Sequence, residues 1–226
     1  MGYAVGGVLY CSVSANYDIV SSASASTLKI MDHMALEEWI AGYSSFVEGV
    51  IGTYFDASLG FFRVSGMIRD AQRRILEIDS DMTESRMDAL SFMYSDGDPG
   101  EKSSEIHHKI TQGEMKKRNS PGDRNEVFVA NMAIITIYTA WEVEYRPRIV
   151  ELLGQAVTSD IMGDLRFLRH AILHKKGIAD SDVVRKSRLL HWYSDGEPIV
   201  ISKMQLLELQ KLIGEDISRI SKLLVR

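Results

Sequence analysis

Apolar residues recur along most of this chain at mixed steps of three and four, the spacing of helices with one buried face. From about Leu28 to Asp79, Met34, Trp39, Phe46, Val50, Ile51, Leu59, Phe62, Ile68, Ile75 and Leu76 predict two helices or one long bent one, with Gly49 and Gly52 as candidate break points. Thr83 followed by Arg86, Met87, Leu90, Phe92 and Met93 predicts a short helix that ends before the turn signal Asp-Gly-Asp-Pro-Gly at 96–100. Residues 96–125 hold Pro99, Pro121 and many charges, which predicts a loop-rich insertion with one helical turn near Ile106–Ile110. The strongest apolar helix runs from Asn125 to Leu153 through Phe128, Met132, Ile135, Tyr138, Trp141, Glu142 and Tyr145, kinked or restarted at Pro147. Asp160 as N-cap and Gly177 as stop bound the next helix. Ser202 and Gln205 have capping-box spacing and open a last helix striped by Leu206, Leu209, Leu212 or Ile213, Ile217, Ile220 and Leu224. Glu197–Ile201 is β-prone and predicts a small hairpin with Arg188–Tyr193. The fold class expected is therefore all-α: a flexible or extended segment over 1–27, with the serine-rich stretch 21–26 as connector, then one helical domain over 28–226 with a hairpin or extended segment before the C-terminal helix.

The helix ending at Gly177 is unusual in its polar face. At about 100° per residue, with Arg166 as zero, Arg169, His170 and His174 fall at roughly −60°, +40° and +80°. Ile161, Leu165, Phe167, Leu168, Ala171 and Ile172 fill the opposite arc. Met162 and Leu173 project into the middle of the cationic arc, so that face is expected to touch something, most simply a second copy of the same helix about a two-fold axis.

Composition narrows the classes. The 226 residues are 45% hydrophobic, enough for a substantial core. A single cysteine, Cys11, excludes an intrachain disulfide and a Cys-x-x-Cys zinc knuckle and suits a reducing, cytoplasmic compartment. The apolar start of the chain lacks the basic flank of a signal peptide, and no stretch approaches the ~20 apolar residues of a membrane span, so no membrane association is expected. A net charge of −5 argues against a protein that coats nucleic acid generally. Yet Arg166, Arg169, Lys175, Lys176, Arg185, Lys186 and Arg188 crowd 23 positions that hold only two acids after the helix, Asp180 and Asp182. An acidic body with one local basic site fits an enzyme acting on RNA.

Within this helix Arg169 and His174 are separated by four residues, and the polar His170 follows the arginine. The pattern resembles the R-x4-6-H motif of HEPN domains, a helical family that includes many metal-independent ribonucleases. Ile137–Ile149, with its aromatic-Trp-Glu core, is similar to the helix that often precedes the motif, and the glycine turn, short extended segment and capped final helix that follow are similar to the family's order. The resemblance covers roughly Asn125 to Arg226. It implies a composite site at a homodimer interface, with His174 in acid–base transfer, Arg169 stabilising charge on the scissile phosphate, and His170, Arg166, Lys175 and Lys176 binding or orienting RNA. It further implies no cofactor, and a toxin or defence role with a possible antitoxin or partner protein. Glu142 is a candidate to hold Arg169.

Other readings of the same residues remain open. An Arg- and His-bearing helix end also serves as a dimer contact or a cap for terminal carbonyls, and some HEPN domains are non-catalytic binding or assembly modules. His170 and His174 have the i, i+4 spacing of a zinc pair, but Arg166 and Arg169 would repel a dication and only Asp164 is near as a third ligand, so no metal is expected. Arg185 and His191 repeat the looser spacing without an amphipathic helix, and His107 and His108 read as surface residues.

Overall fold

Gly49 and Gly52 do not break the first helix. In the computed structural model, which describes residues 25–98 and 100–223, α1 (Ala25–Ile78) is continuous over 54 residues, about 80 Å at 1.5 Å per residue. Leu36, Ile40, Tyr43, Val47, Ile51 and Tyr54 are buried along one seam, and their burial offsets the ~1 kcal/mol that each helical glycine costs relative to alanine. The expected extended segment and Cys11 lie outside the described residues, except that residues 25–27 already belong to α1.

Beyond Tyr54 α1 leaves the main core and is met by α2 (Glu84–Asp88) and α3 (Gln112–Arg118), between which lie β1 (Ser91–Asp96) and β2 (Glu105–Thr111), packed on α3. Thr83 caps α2, but the helix stops at Asp88, and Phe92 and Met93, expected to be helical, lie in β1. The reason is long-range: β1 pairs antiparallel with β2, setting Phe92 opposite Ile110 and Tyr94 opposite His108. The expected loop-rich insertion is thus largely ordered. Thr111 and Glu114 form a reciprocal capping box that starts α3, a signal present in the sequence that the turn residues around it obscured.

This second unit is joined to α1 by polar groups. Lys116, only 7% exposed, donates from Nζ to Asp88 Oδ1 (2.6 Å), Gln72 Oε1 (2.7 Å) and Glu84 Oε1 (3.1 Å). Gln72 donates in turn to Asp88 Oδ1 (2.9 Å) and Gln112 Oε1 (3.1 Å). Hydrogen bonds from Lys116 and Gln72 hold the Asp88 carboxyl below its ordinary value. Burial pulls the Lys116 ammonium down, but Asp88 and Glu84 more than offset it and the net shift is upward.

The C-terminal part holds most of the core. α4 (Arg124–Ala140) passes through a π-helical turn (Trp141–Tyr145) into α5 (Arg146–Leu153). Pro147 explains the π turn: proline in a regular helix clashes with the carbonyl four residues back, and widening to the Arg146 N–H to Trp141 C=O bond removes the conflict. By length and composition the run Arg124–Leu153 would suffice to cross a bilayer, contrary to the sequence expectation. Its inward side, Ala130, Ala133, Ile134, Ile137, Tyr138, Trp141 and Ile149, belongs to the protein core. α6 (Asp160–His174) packs on α4, α7 (Ser181–Lys186) and α8 (Lys203–Ser221). Its N-cap is Ser159, whose hydroxyl accepts the Met162 N–H, and the expected cap Asp160 sits one residue on. α8 starts with the expected Ser202–Gln205 box and buries Leu206, Leu209, Ile213, Ile217 and Ile220.

No hairpin forms between residues 188 and 201. Ala179 N–H bonds Glu197 C=O (2.8 Å) and Ile199 N–H bonds Gly177 C=O (2.7 Å), a single bridge that uses 197–199 against the residues following α6 and leaves 188–193 without a strand. The fold is mostly α with one small antiparallel hairpin, located within 91–111.

Lys116→Met should lower stability by about 1–3 kcal/mol, read as a reduced urea midpoint, because it strands Asp88 and Gln72. Asp88 has a depressed value, so its contribution is present at neutral pH and lost as pH falls through that value; the gap between wild type and variant should shrink in acid, below the ordinary aspartate value of 3.8. The raised Lys116 value places the alkaline loss above 10.5.

Candidate functional site

The buried arc of α6 sets the direction of everything else on it. Ile161, Leu165, Leu168 and Ala171 are fully buried, so Arg166, His170 and His174 emerge into solvent. The His170 and His174 rings, one helical turn apart, lie 4.9 Å centre to centre at 44°. His174 is the last helical residue, at the end where the peptide carbonyls favour positive charge. α6 then closes with Lys175 N–H and Gly177 N–H both bonded to Ala171 C=O (3.0 and 3.1 Å). Lys176 and Gly177 take left-handed backbone (φ +57° and +71°), ordinary for glycine and uncommon for lysine. Lys175 and Lys176 are exposed, and with His174 they border a hollow of about 480 Å³ whose other wall carries Asp180 and Asp195.

Arg169 departs from this group. It is half-buried, its guanidinium lies 5.7 Å from the centre of the Tyr138 ring on α4, and its Nε is sealed from solvent with no hydrogen-bond partner among the described residues. No hydrogen bond joins it to His174 among the described residues. Glu142 does not clamp it: that carboxylate accepts the Tyr138 hydroxyl and lies 3.9 Å from Arg146. Tyr138 therefore stands between the two residues that sequence reasoning paired. Burial, then the hydrogen bond and charge of Glu142, push the Tyr138 phenol up to about 12 against the pull of Arg166 and Arg169, so it stays a donor. Tyr138, Glu142, Arg146 and Arg166 line a groove of about 270 Å³ at the N-terminal end of α6. The signal for Tyr138 was its i, i+4 spacing from Glu142.

Of the seven basic residues between 166 and 188, Lys186 pairs with Asp182 (2.9 Å) and Arg188 with Asp160 (2.7 Å). Arg166, Arg169, Lys175, Lys176 and Arg185 have no ion pair among the described residues and leave a net positive face. Met162, expected on the outer face, is buried, and its sulfur receives the Tyr43 hydroxyl (3.6 Å). Leu173 is exposed, as its place in the cationic arc requires. Arg185 and His191 lie on α7 and on the segment after it, away from any shared helix face. Among the described residues no three His, Cys, Asp or Glu side chains are grouped to hold a metal.

Sequence reasoning passed over the role of Asp164. It projects roughly 160° from Arg166, onto the buried arc. Its carboxylate accepts the backbone N–H groups of Arg188 (2.8 Å), Leu189 (2.7 Å) and Leu190 (2.8 Å). This is why 188–193 cannot join a hairpin, and it ties the basic segment after α7 to the helix that carries His170 and His174. An acid on an otherwise apolar arc was the available signal.

Comparison with protein-family models, with curated proteins and with solved structures finds no match to this chain.

Asp164→Asn puts an NH2 group against backbone donors and should cost about 3 kcal/mol. Denaturant unfolding measures the loss, and faster amide exchange at Leu189 and Leu190 locates it.

Proposed function

We propose that the protein is a HEPN-type endoribonuclease whose working site is assembled from two copies of α6. The observation that carries this reading is the open cationic face of α6, on which His170 and His174 stand within 4.9 Å of each other beside Lys175 and Lys176. Pairing of two copies is supported by α4, which is apolar on two sides. Opposite its core face run Phe128 (63% exposed), Met132 and Ile135, followed in the π-helical turn by Val143 (72% exposed), with Leu173 of α6 also exposed. Covering such an exposed apolar row with a second copy removes it from water.

In this mechanism His174 accepts the proton of a ribose 2′-hydroxyl as the 2′-oxygen attacks phosphorus. The bond to the 5′-oxygen breaks, that oxygen takes a proton from an imidazolium of the opposing copy, and the products are a 2′,3′-cyclic phosphate and a 5′-hydroxyl. Arg169 neutralises charge on the phosphoryl oxygens after swinging from Tyr138; His170, Arg166, Lys175 and Lys176 position the strand. The chemistry calls for no metal, and DNA lacks the nucleophile. A cytoplasmic toxin or defence role, with an antitoxin or partner protein, belongs to the same proposal. The stacking of Arg169 on Tyr138 favours a second reading, a non-catalytic binding or assembly module in which Arg169 is a packing residue.

Labelled RNA incubated with the protein in excess chelator should be cut to cyclic-phosphate ends, and DNA should not. His174→Ala should lower the rate by about 10²–10⁴ and Arg169→Ala by about 10²–10³, with the fold intact by circular dichroism. Absence of cleavage of any RNA would leave the module reading. Phe128→Asp should convert a dimer to monomer in sedimentation and abolish cleavage with it; a wild-type monomer would remove the composite site.

A further inference from the structure

A pocket of about 530 Å³ opens where α1 meets the turn after α3 and the first residues of α4 and α8, away from the cationic helix. Phe55, Ser58 and Phe62 share one face of α1, and together with Phe61 and Pro121 they make most of its wall apolar. Its floor is polar. Glu126, 8% exposed, accepts the Tyr54 hydroxyl (2.8 Å) and the Gly122 N–H (2.6 Å). Ser58, 7% exposed, lies beside them with its hydroxyl sealed from solvent against Tyr54 and Glu126.

A cavity of this size with aromatic walls and a few convergent polar groups has the make-up of a small-molecule site. Its charge states the class of ligand. Asp56 and Glu126 contribute two carboxylates, and three phenyl rings contribute the negative faces that attract cations. Burial raises the Glu126 value, but the Gly122 N–H, the Tyr54 hydroxyl, Lys203 and the Ser58 hydroxyl more than offset it and keep the group ionised. Lys203 is a loose counter-ion: its Nζ is 3.7 Å from Glu126 Oε1 and its side chain is 54% exposed, so a ligand cation can take its place. We propose that this pocket binds an organic ammonium ion with a compact apolar body, its N–H groups donating to the Glu126 carboxylate in place of Lys203 and the body lying among the phenylalanines. The site is independent of the ribonuclease reading.

Three probes of one skeleton test this on the full-length protein by NMR titration: 2-phenylethylammonium, 2-phenylethanol and phenylacetate. The ammonium should saturate with a Kd of about 10 mM or tighter, at least about tenfold tighter than the alcohol, and should shift amides within 55–62 and 119–126. Phe62→Ala, at a side chain more than half exposed, should weaken it at least about fivefold with the circular dichroism spectrum unchanged. Equal binding of the alcohol, tighter binding of phenylacetate, failure of the ammonium to saturate, or an unchanged Kd in Phe62→Ala would overturn the proposal.

Discussion

Burial of Ile161, Leu165, Leu168 and Ala171 against the neighbouring helices is the constraint from which the surface chemistry of this protein follows. A helix side chain has no independent choice of direction: once four apolar residues point inward, those about 180° away must point outward. Arg166, His170 and His174 are therefore displayed with no hydrogen bond or ion pair among the described residues to hold them. Arg169 lies at the edge of the arc, within reach of the Tyr138 ring, whose negative face attracts the guanidinium. The cationic face is thus divided by packing into an exposed set of groups and one anchored arginine.

Three buried charges do what apolar contacts cannot. Lys116 binds the hairpin unit to the far half of α1, Glu126 fixes the turn before α4 to Tyr54, and Asp164 holds the chain after α7. Each collects several hydrogen bonds from groups distant in sequence, so each specifies one arrangement where hydrophobic packing alone would accept several. Their cost is concentrated: a buried charge that loses its partners destabilises far more than a surface charge does.

α4 connects the core to the proposed assembly. Its inner side is covered by this chain, and opposite it Phe128 and Met132, with Val143 in the π-helical turn that follows, are exposed apolar residues. That double pattern is what makes the run through α5 long and apolar enough for a bilayer by composition, although its second half carries Glu142, Glu144, Arg146 and Arg148.

Helical periodicity, the Ser202–Gln205 cap, the Gly177 stop and the opposed faces of α6 are local properties, and the order of the residues determined them without reference to the rest of the molecule. The same local reading missed β1, because Phe92 and Met93 fit a helix until residues 105–111 offer hydrogen bonds on the other side of a turn. It set a hairpin at 188–201 that Asp164 preempts, paired Glu142 with Arg169 across what proves to be Tyr138, and took Asp160 for a cap that Ser159 provides one residue earlier. Every one of these turns on a partner remote in sequence or on a choice between adjacent caps. Periodicity records which face of an element is buried, but not what it is buried against; that was decided only when the tertiary contacts allotted each carboxylate, ring and backbone donor to a single competitor.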